Sequence, residues 1–331
     1  MAQATIRDVA REAGVSVASV SRVMNRLPNV RAELKEKVEA AARRLDYVPH
    51  VGARSLSLAR TGVVGVVLPD LHGEFFSEIL RGMGREAAAC DLQLLLSNMH
   101  ADPQSAIEAL RTLRGRVDGL IVMAPHIDPD TLFAHLPESI PAVLLNCPDN
   151  LQGRSELRTD NAAGAAAMVA HLVALGRRRI LHIAGPANNA EARQRLTGYH
   201  AAMAQAGLEP IVMQGNFDEE SGRAAIATMI ARRIAVDAVF AANDIMAIGA
   251  MMALRDAGFC IPDDVAVAGF DNVPLARLIS PPLTTMAIDI ADLGARAINR
   301  LWSILDGADV PSMELRRPNL IIRASTQARV V

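Results

Sequence analysis

Aromatic side chains are scarce in this chain of 331 residues: they make up 3% of it, as one Trp, two Tyr and seven Phe. Cysteine is also scarce, and Cys90, Cys147 and Cys260 are too widely spaced to indicate a metal site or a disulfide framework. We expect all three cysteines to be buried, because free cysteine packs as a small hydrophobic residue. The eight histidines show no metal spacing either. The sequence therefore predicts neither a metal nor a cofactor.

Long apolar runs are missing as well. No stretch approaches the roughly 20 apolar residues that a membrane-spanning helix needs, and the first residues, MAQATIRD, carry no apolar export signal. We therefore expect a cytoplasmic protein without a membrane partner. Hydrophobic residues nevertheless make up 51% of the chain, which is enough for two or three domains with cores of their own.

The net charge of −2 conceals two oppositely charged parts. Residues 1–60 contain 11 Lys and Arg against 6 Asp and Glu, whereas residues 61–331 contain 23 against 30. A basic head on an acidic body indicates that only the head meets a polyanion. Charge alone is weak evidence, because a basic surface is often only a solvated face.

Residues 5–25, TIRDVAREAGVSVASVSRVMN, predict two short helices joined by a tight turn. Thr5 and Ser16 are placed to cap these helices, and Gly14 supplies the turn. The outer face of the second helix carries Val17, Ala18, Ser21, Arg22 and Asn25. This layout is typical of the helix-turn-helix motif, whose second helix enters the DNA major groove. The alternative is a helical hairpin inside a larger core, which would not need an outward Arg.

From Thr61 onward, apolar runs alternate with helical stretches. Continuous Val, Ile and Leu runs between helices indicate parallel sheets covered on both faces, and their number favours two doubly wound subdomains with a cleft at the strands' carboxyl ends. The fold class is therefore α/β, with an all-α headpiece. The predicted strands are 62–68, 92–97, 119–123, 142–146, 179–184, 211–214, 238–242 and 265–270. The predicted helices are 32–45, 74–89, 103–115, 161–175, 191–206, 219–232, 244–257 and 290–305.

Loops that follow the predicted strands hold side chains suited to a polyhydroxylated ligand. Three of the ten aromatic residues, Phe75, Phe76 and Phe217, lie in these loops beside carboxylates, amides and a guanidinium. Aromatic faces stack on the CH faces of such a ligand, and paired polar groups satisfy its hydroxyls.

Each of these side chains has a second interpretation that the sequence leaves open. Phe75 could be plain core packing, and Arg195 could form a surface ion pair. Asp160 and Asp271 could cap helices, and Asp244, at a helix start, is interpreted as a cap rather than a ligand contact.

The chain resembles the lactose-repressor (LacI/GalR) family of bacterial transcription regulators. The residues that carry the resemblance are TIRDVAREAGVS, SVSRVMN, LDYVP at 45–49 and ARSL at 53–56. It implies a DNA-binding domain at 1–49, a hinge at 50–60 and a core at 61–331 that binds an effector and dimerises. The first subdomain of the core would comprise 61–160 and 290–320, the second 161–288 and 321–331. The chain departs from the family at the third helix, where Arg31 replaces the usual Ser or Thr cap.

The resemblance also implies roles for single residues on DNA. The hinge, which the sequence alone would leave as a flexible linker, would fold into a helix on DNA and place Leu56 in the minor groove. Ala53 is a further DNA-binding candidate in this segment. Thr5 and Tyr47 would contact phosphates.

In the core, the resemblance implies that Arg195 and Asp271 grip the effector. Phe76 and Phe217 match aromatic wall positions, and Phe75 is adjacent. The remaining effector-site candidates are Asn146, Asp160, Asn189 and Glu191. Asn189 and Glu191 differ from the Arg and Thr of purine-sensing relatives, which favours a sugar.

The leading hypothesis is a repressor that binds a palindromic DNA operator as a homodimer and is released by a small metabolite, most simply a sugar. A nucleoside-responsive or corepressor-dependent regulator is the alternative within the family. An exported sugar-binding protein would explain the core but not the basic head. An enzyme is not expected, because GVVGVV at 62–67 is not a dinucleotide fingerprint, and neither a Walker A sequence nor a G-x-S-x-G elbow is present.

Overall fold

A computed structural model describes residues 4–25, 30–47, 60–100, 102–147 and 154–327. The chain forms two compact units, one of residues 1–63 with 116–118 and one of residues 64–115 with 119–331. The first unit contains helices α1 (Ile6–Ala13), α2 (Val17–Met24) and α3 (Ala32–Arg44). The second contains two six-stranded sheets and the helices that cover them.

Local hydrogen bonds define the predicted helix-turn-helix. The Thr5 N–H donates to Asp8 Oδ2 at 3.0 Å and starts α1 as a capping box. Gly14 ends α1 in the left-handed conformation, and the Ser16 hydroxyl begins α2 by accepting from the Ser19 N–H at 3.1 Å. Arg31, at the start of α3, makes no side-chain cap, as its departure from the family pattern predicted.

The first sheet contains β1 (Val63–Leu68), β2 (Gln93–Asn98), β3 (Gly119–Met123), β4 (Ala142–Leu145), β5 (Ser155–Thr159) and β11 (Met313–Arg316). The strand order is β11-β5-β4-β3-β1-β2, and the pairings from β11 to β1 are parallel. The helices between its strands are α4 (Glu74–Ala89), α5 (Pro103–Leu113) and α6 (Pro129–His135). A later helix, α11 (Ile290–Leu305), returns to this sheet.

The second sheet contains β6 (Ile180–Ala184), β7 (Ile211–Gln214), β8 (Ala238–Ala241), β9 (Ala266–Asp271), β10 (Thr284–Ala287) and β12 (Asn319–Ile321). Its order is β12-β10-β9-β8-β6-β7, and only β12 is antiparallel among the pairings that the structure describes. Its helices are α7 (Asn161–Ala174), α8 (Ala190–Gln205), α9 (Glu219–Ala231) and α10 (Asp244–Asp256). The α/β fold class is confirmed, and the predicted strands and helices end within two residues of the observed ones.

Two sequence predictions need comment here. Cys147 is buried and Cys90 is half-buried, but Cys260 is exposed, so the prediction that all three are buried was wrong. Cys260 lies in the turn after α10, where its N–H donates to Asp264 Oδ2 at 2.7 Å. Among the described residues, none of the helices is both long and apolar enough to span a membrane.

The contact between α4 and α11 depends on glycine. A Cβ added at Gly82 of α4 would lie 1.8 Å from the Ala291 carbonyl oxygen, and one at Gly294 of α11 would lie 2.2 Å from the Ile79 carbonyl oxygen. The backbones of the two helices therefore touch, and a methyl group at either position would push them apart.

Substituting Gly82 tests this packing. We expect Gly82→Ala to destabilise the protein by about 1–3 kcal/mol, the range for overpacked cores. Gly84→Ala, on the same helix but in open space, is the matched control and should stabilise by up to about 1 kcal/mol through helix propensity. Urea denaturation of both variants measures the difference, and equal stabilities would contradict the proposed contact.

Candidate functional site

The outer face of α2 presents side chains to solvent at the predicted DNA-reading positions. Val17, Ala18 and Arg22 are exposed, whereas Val20 and Val23 on the opposite face are buried in the headpiece core. Val17 has 42% of its surface exposed although it is apolar, and nothing in the described headpiece covers it. Such a face can offer methyl groups and a guanidinium to base edges.

Several other predicted DNA-binding residues are partly buried or lie outside the described residues. Ser21 is half-buried and its hydroxyl accepts from the Asn25 amide at 3.3 Å. Tyr47 packs against the headpiece core, and burial raises the pKa of its phenol. Ala53 and Leu56 lie outside the described residues.

Arg195 forms the centre of a buried polar cluster at the carboxyl end of the second sheet. It lies on the first half of α8 and is 3% exposed. Its Nε donates to Asn161 Oδ1 at 2.9 Å, and its Nη1 donates to the Ala242 carbonyl, directly after β8, at 2.5 Å. The guanidinium lies over the Phe270 ring at 4.0 Å and near the Phe217 ring at 5.9 Å. The possibility of a surface ion pair is thereby excluded for Arg195.

Two carboxylates share the charge of this guanidinium. Arg195 Nη2 lies 3.2 Å from Asp271 Oδ1 and 3.6 Å from Glu191 Oε1, and both acids are buried. Glu191 also accepts from the Asn146 amide at 2.9 Å, and Asn146 Oδ1 accepts from the Thr159 N–H at 2.8 Å. Asn146, which follows β4, thus connects the first sheet to the cluster on the second.

Negative charge exceeds positive charge in the cluster, and the pKa values reflect this. Burial raises the pKa of Asp271 to about 7 against the lowering effect of Arg195, and burial also raises the pKa of Glu191. Asp244 is fully buried, and its pKa is raised well above the usual range by burial and then by the charge of Asp271. Asp271 Oδ1 has no well-directed hydrogen bond besides its ion pair, so a polar ligand could supply one.

Asp244 was misread from the sequence as a helix cap. Asn243 is the N-cap of α10, and its Oδ1 accepts from the Met246 N–H at 2.9 Å. Asp244 instead accepts from the Thr285 hydroxyl at 2.5 Å and from the Val273 N–H at 2.8 Å. It therefore fixes the segment that follows Asp271.

Within the described residues, four predicted site residues make no hydrogen bond, ion pair or ring contact with the Arg195 cluster. Asp160 caps α7 by accepting from the Ala163 N–H at 3.1 Å, and Asn189 caps α8 by accepting from the Ala192 N–H at 3.0 Å. Phe75 and Phe76 pack edge to face, with ring centroids 5.2 Å apart, and against the hydrophobic core. The role of all four in binding stays a prediction.

Sequence reasoning missed three members of the cluster. Asn161 was overlooked beside the more prominent Asp160, although its position at the first turn of α7 directs it inward. Phe270 was assigned to a strand only, and the Ala242 carbonyl is a backbone group without any side-chain signal. No group of three or more potential metal ligands occurs in the part of the chain that the structure describes.

Comparison with known proteins gives these sites a context. Residues 5–50 match the family model of bacterial regulatory proteins of the lacI family, and residues 169–326 match that of a periplasmic binding protein-like domain. The chain is 36% identical over 304 residues to the ribose operon repressor of Escherichia coli K12, covering 90% of this chain and 92% of the relative. It is 32% identical over 335 residues to the transcriptional repressor PurR of Pasteurella multocida, covering 99% and 100%.

Solved structures of transcriptional regulators are similar to this chain as well. The Lac repressor dimer bound to operator and the anti-inducer ONPF superposes with a TM-score of 0.91 at 31% identity, covering 99% of this chain and 100% of that one. The regulator CelR in complex with cellobiose gives 0.73 at 30% identity, covering 97% and 99%. The chain belongs to the LacI family. This LacI-family member is a DNA-binding transcriptional regulator and not an enzyme.

The raised pKa of Asp271 predicts a pH dependence of this LacI-family chain. The folded state holds a proton on Asp271 up to about pH 7, whereas the unfolded state releases it near pH 4. This contribution to the free energy of unfolding is therefore complete below pH 4 and falls by up to about 1.4 kcal/mol per pH unit until pH 7.

Urea denaturation at pH 5, 6, 7 and 8 checks this. The stability of wild type relative to Asp271→Asn should fall from pH 5 to 7 and then level off, and subtraction removes the titrating groups that do not interact with Asp271. Asp306→Asn, which alters an exposed carboxyl, is the control and should run parallel to wild type. Parallel curves for wild type and Asp271→Asn would refute the raised pKa.

Proposed function

We propose that the chain represses transcription by binding a palindromic operator as a homodimer and that a sugar releases it. The single observation that supports this most is the pairing of two features: the exposed outer face of α2 and the buried Arg195 cluster. The first suits DNA and the second suits a small polar ligand. As a DNA-binding regulator, it would act in the cytoplasm.

On DNA, Val17, Ala18 and Arg22 would read bases. Ser21 on the same helix, and Ser16 and Asn25 at its two ends, would also contact DNA. Arg22 is exposed and can make two hydrogen bonds to a guanine edge. Val17 and Ala18 can contact thymine methyl groups. Thr5, Tyr47 and the helix N-termini would hold phosphates. One small headpiece gives few contacts, so two copies on a palindrome are expected, in line with the Lac repressor dimer seen on its operator.

A sugar is favoured as effector because the cluster offers both acceptors and a donor beside aromatic rings. The carboxylates of Glu191 and Asp271 can accept hydrogen bonds from hydroxyl groups, and the Asn146 amide can both donate and accept. Phe217 could stack on the CH face of a ring. The ribose operon repressor and the cellobiose complex of CelR are sugar-related relatives. The similarity to PurR keeps a nucleoside or purine-type effector as the alternative.

Binding of the sugar would weaken DNA binding, which makes it an inducer. A ligand shifts the protein between two states only through its different affinity for each. The opposite sign, tighter DNA binding with ligand, would make it a corepressor.

Base reading is tested with Arg22→Ala. We expect about a 10- to 100-fold weaker affinity for a palindrome selected by the wild-type protein, because one bidentate base contact discriminates by about 1–3 kcal/mol. On random DNA the loss should be small and equal to that of Arg43→Ala, which removes an exposed arginine from α3. Fluorescence anisotropy measures both affinities. Equal losses on selected and random DNA would rule out base reading by Arg22.

Effector binding is tested by thermal shift with D-ribose first, then other pentoses, hexoses, cellobiose and nucleosides. A ligand at 100 times its dissociation constant should stabilise the protein by about 2.7 kcal/mol. Arg195→Lys keeps the charge but loses the forked donors, so it should lose this stabilisation. Arg193→Lys, exposed on the same helix, should retain it. A saturable thermal shift with nucleosides and with none of the sugars would favour the nucleoside-responsive alternative over a sugar effector.

A further inference from the structure

The Asp118 carboxylate binds the two residues that directly follow the predicted hinge. Its Oδ1 accepts from the Thr61 N–H at 2.6 Å and from the Thr61 hydroxyl at 2.9 Å, and its Oδ2 accepts from the Gly62 N–H at 2.7 Å. The neighbouring backbone reinforces this, since the Asp118 N–H donates to the Val63 carbonyl at 2.8 Å. Hydrogen bonds to a charged acceptor are about twice as strong as those between neutral groups.

The path of the chain at this point is also fixed by its own conformation. Gly62 has φ of +70°, in the left-handed region that side-chain-bearing residues avoid. The Thr61 hydroxyl accepts from the Val63 N–H at 3.1 Å while it donates to Asp118. Residues 61 and 62 therefore have a defined direction before β1 begins at Val63.

Asp118 lies just before the start of a strand that leads toward the helix carrying Arg195. Asp118 directly precedes β3, and β3 ends at Met123, two residues before Pro125. The Pro125 carbonyl accepts from the Ala190 N–H at 2.9 Å, at the start of the helix that carries Arg195. One short strand thus connects the segment that holds Thr61 and Gly62 with the segment that contacts α8.

We propose that Asp118 is the positioning residue that fixes where the hinge leaves the effector-binding core. This rests on the proposed function, because the hinge matters only if two headpieces bind one operator. With Asp118 in place, the position of β3 sets the end of the hinge. Without it, Thr61 and Gly62 join the hinge, and two more residues in each subunit must be ordered when both headpieces bind.

The test compares full-length wild type and Asp118→Ala on two duplexes. One is a palindrome enriched by wild type from random DNA, and the other is the same duplex with one half-site scrambled. We expect Asp118→Ala to bind the palindrome about tenfold more weakly, from the cost of ordering extra residues, and to bind the half-site duplex as wild type does. Two glycines inserted between Arg60 and Thr61 should reproduce the loss with Asp118 intact.

Two further variants keep the test decisive. Thr61→Val removes the hydroxyl that joins Asp118 and Val63, so it should weaken palindrome binding about threefold; it carries the test if Asp118→Ala does not fold. Glu108→Ala, an exposed carboxylate on α5, is the charge control and should bind as wild type. Amide exchange at residues 61–63 should be slow in wild type and fast in Asp118→Ala.

The outcomes separate the two proposals. No preference of wild type for any palindrome would refute the proposed function itself. If wild type prefers the palindrome, then equal palindrome binding by Asp118→Ala, or an equal loss on both duplexes, would overturn the role of Asp118.

Discussion

The buried guanidinium of Arg195 is the interaction on which the proposed ligand site depends. One cation compensates Asp271 at 3.2 Å and Glu191 at 3.6 Å, and Asp244 adds a third buried carboxyl that is fixed by Thr285. Burying unpaired carboxylates is costly, so these groups retain protons at pH values where exposed acids have lost them. Bound protons therefore neutralise the negative charge that Arg195 does not. Hydroxyl groups of a ligand could donate to these oxygens in place of those protons, which favours a neutral polyol over an anion.

Hydrogen bonds join the two sheets near the carboxyl ends of their strands. Asn146 donates to Glu191, the Ala190 N–H donates to Pro125, and Glu74 accepts from the Leu275 N–H at 2.9 Å. Polar contacts of this kind exchange with water at small net cost. Under the proposed function, a ligand that replaces some of these contacts would favour one arrangement of the two sheets over another.

Much of this was predictable from the sequence. The capping box at Thr5, the outward Arg22 and the strand-to-helix loops follow from local rules of spacing, and Arg195 and Asp271 followed from resemblance. The missed elements have a physical reason. Strand β5 reads SELRT, whose charged Glu156 and Arg158 pair with each other, so it lacks an apolar run. Asn161 and the Ala242 carbonyl become site groups only through tertiary packing. A cap at Asn243 and one at Asp244 fit the sequence equally well, and only the burial of Asp244 separates them.

Strand β3 connects Asp118, which holds Thr61 and Gly62, with the Pro125 segment that contacts α8. Its five residues are all buried, and it lies in the middle of its sheet between β1 and β4. A central, fully paired strand does not bend easily, because both neighbours share its hydrogen bonds and its side chains are packed on both faces. Under the role proposed for Asp118, movement at the Pro125 contact with α8 would shift this strand as a unit, together with Asp118 at its other end. Coupling needs a two-state element that both sites influence, and the role proposed for Asp118 would make the position of this strand relative to α8 that element.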